Sequence, residues 1–149
     1  MTDTAAASPE ANLHEVIPFH GITNMPESLK FYVDGLGFAM IHSWSPEGTI
    51  RWCMLRLDGV RIMLQEHYPA KAVRGEVGKG QMPHFQCRDA LKFYREITAR
   101  GVKTREEPFV GNHMWFFSVE DPDGYRLAFA SPTDVPEDTT LSEYERGKQ

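Results

Sequence analysis

Apolar residues follow two rhythms along this chain. After Asn24-Met25-Pro26-Glu27, the residues Leu29, Tyr32, Val33 and Leu36 recur at helical spacing, and Gly35 or Gly37 ends the run. Asn24 can cap that helix, Glu27 can bond back to it, and Pro26 suits a first turn. A second helix runs from the cap Asp89 to about Arg100, with Ala90, Leu91, Tyr94 and Ile97 on one face and Gly101 closing it. Strand-like runs lie at 15–22, 38–44, 50–57, 60–66, 82–87, 102–104, 113–119 and 125–130. Pro18 puts the first at an edge or seam. Ser45-Pro46-Glu47-Gly48, Asp58-Gly59 and Asp121-Pro122-Asp123-Gly124 read as turns. The predicted order is β-α-β-β-β, twice.

The letters repeat as well as the pattern. Leu29-Lys30-Phe31-Tyr32 returns as Leu91-Lys92-Phe93-Tyr94, and Asp58-Gly59-Val60-Arg61-Ile62-Met63-Leu64 is echoed by Asp123-Gly124-Tyr125-Arg126-Leu127-Ala128-Phe129. The offsets, 62 and 65 residues, are nearly constant, which predicts two copies of one supersecondary unit with a ligand site where they meet. The expected organisation is a tail at 1–13 and one domain at 14–132. Within that domain, module one covers about 14–67, a linker 68–81 and module two 82–132. An acidic, polar tail follows at 133–149, with a helical turn near 141–144.

Composition narrows the classes. A chain of 149 residues suits one domain with a full core, and 41% hydrophobic with 25% charged residues is ordinary for a soluble globular protein. A net charge of −5 offers no basic stripe for nucleic acid or anionic lipid. No apolar run reaches the ~20 residues that span a bilayer, and 1–12 lacks the basic and apolar regions of a secretory signal. A cytoplasmic protein with no membrane or nucleic-acid partner is expected. Cys53 and Cys87 lie in apolar strand-like runs without metal-type spacing and are expected as buried reduced thiols.

Four motifs carry a resemblance. Ser28-Leu29-Lys30-Phe31-Tyr32 followed by Gly35-Leu36-Gly37-Phe38, then Met63-Leu64-Gln65-Glu66, then Val119-Glu120-Asp121-Pro122-Asp123-Gly124-Tyr125, is similar to the vicinal oxygen chelate superfamily over roughly 16–132. That group includes glyoxalase I, extradiol dioxygenases, and the fosfomycin- and bleomycin-resistance proteins. The resemblance implies an α+β fold: two βαβββ modules forming a curved, cup-like eight-stranded mixed sheet with helices outside. It also implies a homodimer, with modules paired within a chain or swapped between chains. In the family's metalloenzymes four inward His, Gln or Glu side chains hold a cation. The matching positions here are Ile17, Met63, Met82 and Ala128, none a usable donor. A shorter first turn would put His20 at the first position, still one donor of four. No metal and no cofactor are therefore expected, which points to the bleomycin-resistance-like branch.

Strand alternation from those positions extends the expected lining. Phe19, Trp52, Met54, Arg56, Met63, Gln65, Met82, His84, Gln86, Met114 and Phe116 form the candidate ligand-binding set, with Ser118, Arg126 and Ala130 on the same side. Leu55, Ile62, Leu64, Phe85, Phe117, Val119, Leu127 and Phe129 fall on the other face, uniformly apolar as a sheet–helix core requires. Methionines beside Trp52 and Phe116 make an adaptable apolar surface that Gln65, Gln86, His84 and Arg56 would orient. The plainer alternative is that these residues fill a closed core, against which Arg56 and Arg126 stand. His84 is the one candidate for an acid/base. His20 reads as structural, Glu66 as a solvated or helix-side carboxylate, and His42, Trp44 and Trp115 as dimer, pocket-edge or core-rim residues. Asp121-Pro122-Asp123-Gly124 lacks the ligand series of a calcium loop and reads as a turn.

The expected function is metal-free binding of an aromatic or drug-like small molecule, by sequestration or within a biosynthetic pathway. The alternative is an enzyme of the same family, a lyase, isomerase or dioxygenase-like protein. A third reading is a filled core acting only through its dimer surface.

Overall fold

The computed structural model describes residues 10–66 and 78–148. Module one contains β1 (Phe19–Ile22), α1 (Met25–Leu29, continuing as a wider helix over Lys30–Gly35), β2 (Ala39–Trp44), β3 (Trp52–Leu57) and β4 (Val60–Glu66). Module two contains β5 (His84–Gln86), α2 (Ala90–Ala99), β6 (Phe109–Gly111), β7 (Met114–Glu120) and β8 (Arg126–Pro132), and α3 (Leu141–Gly147) follows. The strands form two four-stranded sheets with the same wiring, β1-β4-β3-β2 and β5-β8-β7-β6. In each, the strand before the helix pairs in parallel with the last strand of its module, and the other pairs are antiparallel. This is the α+β architecture of two βαβββ units. His67 and most of the expected linker and N-terminal tail lie outside the described residues.

The repeat holds at single-bond resolution. Phe19 pairs with Met63 in one sheet and His84 with Ala128 in the other, an offset of 65 on both strands. At the same offset Asn24 accepts the Glu27 N–H and Asp89 the Lys92 N–H, each at 3.0 Å. The Met25 N–H is taken by Glu66 at 2.6 Å, and its counterpart Ala90 by Ser131 at 2.9 Å. Each helix therefore hangs its first free donors on its own cap and on the last strand of its module. Glu66 is the helix-side carboxylate expected of it and also pairs with Arg51.

The identical tetrapeptides, however, are not structural counterparts. Gly37 and Gly101 close the two helices in positive φ, offset by 64, so α1 accommodates one extra residue in its π-helical stretch. Leu29-Lys30-Phe31-Tyr32 lies 62 residues before its echo where the strands and caps are offset by 65, so it sits about one turn out of step, a spacing that keeps the apolar face and hides the shift.

Alternation assigns the faces as expected. Leu55, Ile62, Leu64, Phe117, Val119 and Leu127 are fully buried, with Phe85 and Phe129 nearly so. Against module two's sheet the rings of Phe93 and Phe129 meet at 4.8 Å, and those of Tyr94 and Phe117 at 5.4 Å. Burial of each such side chain stabilises by roughly 1.5–3 kcal/mol. Three expectations fail at the edges. Residues 102–104 give only an isolated bridge from Thr104 to Val119, and β6 falls instead at Phe109–Gly111. β1 begins at Phe19 rather than at 15, and β5 at His84 rather than at 82, because prolines 18 and 83 interrupt the run before each. The C-terminal turn is a full helix, Leu141–Gly147, held by a capping box between Thr140 and Glu143.

A buried polar clasp joins the modules. Tyr32 donates its hydroxyl to Asp121 at 2.7 Å, so its oxygen is left to accept from His20 Nδ1 at 3.3 Å. The His20 ring stacks on Tyr125 at 3.9 Å and 3°. The Tyr125 hydroxyl both accepts from Gly21 N–H (3.1 Å) and donates to Gly21 C=O (2.9 Å), taking a strand's place on the open edge of β1. Asp123 accepts from Thr23 N–H and Oγ1. His20 is therefore structural, as expected, and its first-strand register rules it out as the counterpart of a ligand position.

Burial pulls the His20 imidazole from its ordinary 6.5 down to about 4. The unfolded chain protonates in that window and the folded chain does not, so stability is complete above about pH 6.5. It declines on acidification by on the order of 3 kcal/mol as pH approaches 4. Asp121 works the other way, since burial raises its carboxyl and returns some stability at the acid end. Urea unfolding across this range should show the decline, and His20→Phe should flatten it.

Candidate functional site

The face of each sheet turned away from the helices is open. On module one it carries Phe19 from β1, Met63 and Gln65 from β4, Trp52, Met54 and Arg56 from β3, and Trp44 and His42 from β2. Trp52 stands between Gln65 on one side and Trp44 on the other, while Met54 lies between Met63 and His42. Phe19 and Trp44 are 53% and 56% exposed, Trp52, Met63 and Gln65 half-buried, and Met54 buried among them. Arg56 reaches solvent. Gln65 spends one amide hydrogen on the Glu66 carbonyl at 3.3 Å.

On module two the same face carries His84 and Gln86 from β5, Ala128 and Ala130 from β8, and Met114 and Phe116 from β7. The alanines of the central strand are fully buried under their neighbours, so this face is floored by methyl groups and walled by larger side chains. His84 is exposed, tilts against Phe116 at 5.7 Å, and forms no hydrogen bond among the described residues. Ser118 is on this side but unavailable: Glu106 accepts from its N–H and hydroxyl, and Arg105 donates to its oxygen at 3.0 Å. Arg126 pairs with Glu120 at 3.4 Å at the strand end.

The metal-ligand positions carry no donor set. Ile17 and Met82 precede their strands, half-buried, while Met63 and the buried Ala128 stand at matching points of β4 and β8. Thioether and aliphatic groups do not fit Zn²⁺, Fe²⁺ or Mn²⁺. Among the described residues no three His, Cys, Asp or Glu side chains converge as a metal cluster. Cys53 is buried, with its thiol pushed up to about 11, and Cys87 is half-buried and raised likewise by burial, so neither is an activated thiolate.

Sequence reading missed Phe109, whose ring meets Phe116 at 5.4 Å at the far wall of module two's face. Its strand was masked by the nearer apolar run at 102–104, although Pro108 and Gly111 bracket it. Two clefts are also present among the described residues. One of about 590 Å³ is bounded by Lys79, Met82, Arg105, Glu120 and Arg126. The other, of about 730 Å³, separates the β3–β4 turn from the start of α2. No helix among the described residues is long and apolar enough to cross a membrane.

No curated protein sequence matches the chain. Solved structures match its fold at low identity. The bleomycin-binding protein complexed with bleomycin is 15% identical, with 80% of this chain and 98% of that one covered and a TM-score of 0.62. The fosfomycin resistance protein FosX of Listeria monocytogenes is 15% identical, covering 82% and 95%, with a TM-score of 0.60. TnmS3, an antibiotic binding protein from Streptomyces sp. CB03234, is 16% identical, covering 80% and 97%, with a TM-score of 0.56. The family profile that matches spans residues 21–129, from the open edge of β1 to the core of β8, and by it the chain belongs to the Glyoxalase/Bleomycin resistance protein/Dioxygenase superfamily.

Proposed function

We propose that this protein binds an aromatic small molecule between the open faces of its two sheets, without a metal ion. The observation that carries this is the chemistry of those faces: Phe19, Trp52, Met63, Met114 and Phe116 are accessible on them, while the family's ligand positions, Ile17, Met63, Met82 and Ala128, offer no nitrogen or oxygen donor. Planar rings stack on Trp52 and Phe116, the thioethers adapt to irregular outlines, and His84, Gln86, Gln65 and Arg56 supply polar contacts at the margin. That similar folds include a bleomycin complex and an antibiotic binding protein supports an antibiotic-like ligand. Elemental analysis of the purified protein tests the metal-free half. Stoichiometric Zn, Fe, Ni or Mn that a chelator removes would end it.

A second copy closes the site. Leu13 and Val16 are about nine-tenths exposed, and Phe19, Met40 and Trp44 add apolar surface at both edges of module one's sheet. Light scattering should give twice the 17.0 kDa chain mass, and a strictly monomeric protein would contradict this. An enzymatic reading has one observation in its favour, the exposed His84 imidazole, which forms no hydrogen bond among the described residues. Turnover of a glyoxalase-type substrate that His84→Ala abolishes, with fold intact, would establish it instead.

A further inference from the structure

The two modules close their mutual contacts unequally. The β7–β8 turn seals against the start of β1 and α1 through Tyr125, Asp123 and Asp121, as described above. The equivalent contact, the β3–β4 turn against the start of α2, is instead a cleft of about 730 Å³. The 65-residue offset explains why. Val60 stands where Tyr125 would be, Phe85 where His20 is, Gln86 for Gly21, Arg88 for Thr23 and Asp58 for Asp123. A valine leaves the space of a phenol ring unfilled.

What the missing ring would touch is intact. The Cys87 N–H bonds to Ala130 C=O at 2.7 Å and the Ala128 N–H to Pro83 C=O at 2.9 Å, so β5 spends its odd-numbered backbone groups on β8. Alternation turns the N–H and C=O of Gln86 to the open edge, as it turns those of Gly21 on β1, where the Tyr125 hydroxyl meets both. Phe85, stacked on Phe129 at 5.3 Å and 8% exposed, lines the cleft at the position where His20 stacks on Tyr125, and Leu57, Val60 and Phe93 complete an apolar slot. The rim carries both signs: Asp58, Asp89 and Glu96 line it with Arg88 and Lys92, Glu96 holds Lys92, and Arg88 forms no ion pair among the described residues.

We infer that this cleft is a second small-molecule site, separate from the open faces, for a phenol that carries an anionic substituent. The ring lies on Phe85, its hydroxyl accepts from Gln86 N–H and donates to Gln86 C=O, and the anion reaches Arg88. The ligand thereby reproduces on module two the contact that Tyr125 makes on module one.

Amide NMR titration of the full chain with 3-(4-hydroxyphenyl)propionate, against 3-phenylpropionate, tests this. The phenol should shift the amides of 57–60 and 85–88 saturably, with Gln86 the most affected, and the compound without the hydroxyl should bind roughly tenfold more weakly. Val60→Tyr, which supplies the missing ring from the chain itself, should abolish these shifts. The hydroxyl comparison needs no variant and stands if Val60→Tyr fails to fold. Shifts confined to the open-face residues, equal affinity for the two compounds, or undiminished binding by folded Val60→Tyr would each overturn the site.

Discussion

Asp121→Ala should lower the unfolding free energy by about 3–5 kcal/mol, the largest effect of any single side chain in the turn at 121–124. Its carboxylate is 4% exposed and accepts from the Tyr32 hydroxyl at 2.7 Å and from the N–H groups of Asp123 and Tyr125 at 2.9 and 2.8 Å. Truncation leaves three donors in an apolar seam, each costing about 1–3 kcal/mol less whatever relaxation recovers. It also frees the turn that holds Tyr125 against Gly21 and Asp123 against Thr23, so the loss is shared by both modules. Asp121→Asn keeps one acceptor oxygen for the backbone donors and should lose less than half as much. A urea-derived loss below about 1 kcal/mol for the alanine variant would mean that the modules are held chiefly by apolar packing.

Trp52→Ala should weaken ligand binding roughly 10- to 100-fold while leaving the fold intact. Trp52 is half-buried, at the middle of module one's open face, with Trp44 and Gln65 as its cross-strand neighbours. Its loss removes both stacking area and the wall against Met54, but no helix-facing contact. Trp115 belongs to the other layer: it is 5% exposed and packs on Tyr144 at 5.3 Å, so Trp115→Phe should affect stability and leave affinity unchanged. Calorimetric titration of both variants separates the two faces. Equal affinity of Trp52→Ala and the parent protein would remove the aromatic face from the site.

The modules, both helices and the division of the sheets into two faces were legible in the sequence because each rests on a local rule. Asn24 and Asp89 cap because a short side-chain oxygen reaches an N–H three residues on. Leu55, Ile62, Leu64, Phe117, Leu127 and Phe129 are buried because alternation leaves them no other side. What escaped was non-local. Strands and helix caps correspond at an offset of 65 residues but the identical tetrapeptides at 62, which sets them about a turn apart on their helices, and nothing in their letters records it. Phe109 reaches Phe116 on module two's open face through a strand whose mark in the sequence is a Pro–Gly bracket. Ser118 has the right parity for the open face, but Glu106 and Arg105 arrive from a loop to cover it. Likewise, the exchange of Tyr125 for Val60 looks unremarkable until the partners of Tyr125 are known.

The central claim, aromatic recognition without a cation, is tested most directly by titrating the protein, in excess EDTA, with planar aromatic compounds that do not themselves chelate metals while following tryptophan emission. The account predicts a saturable change in emission that Trp52→Ala suppresses and that added Zn²⁺ or Mn²⁺ does not strengthen. Binding that appears only when a divalent cation is restored would contradict it.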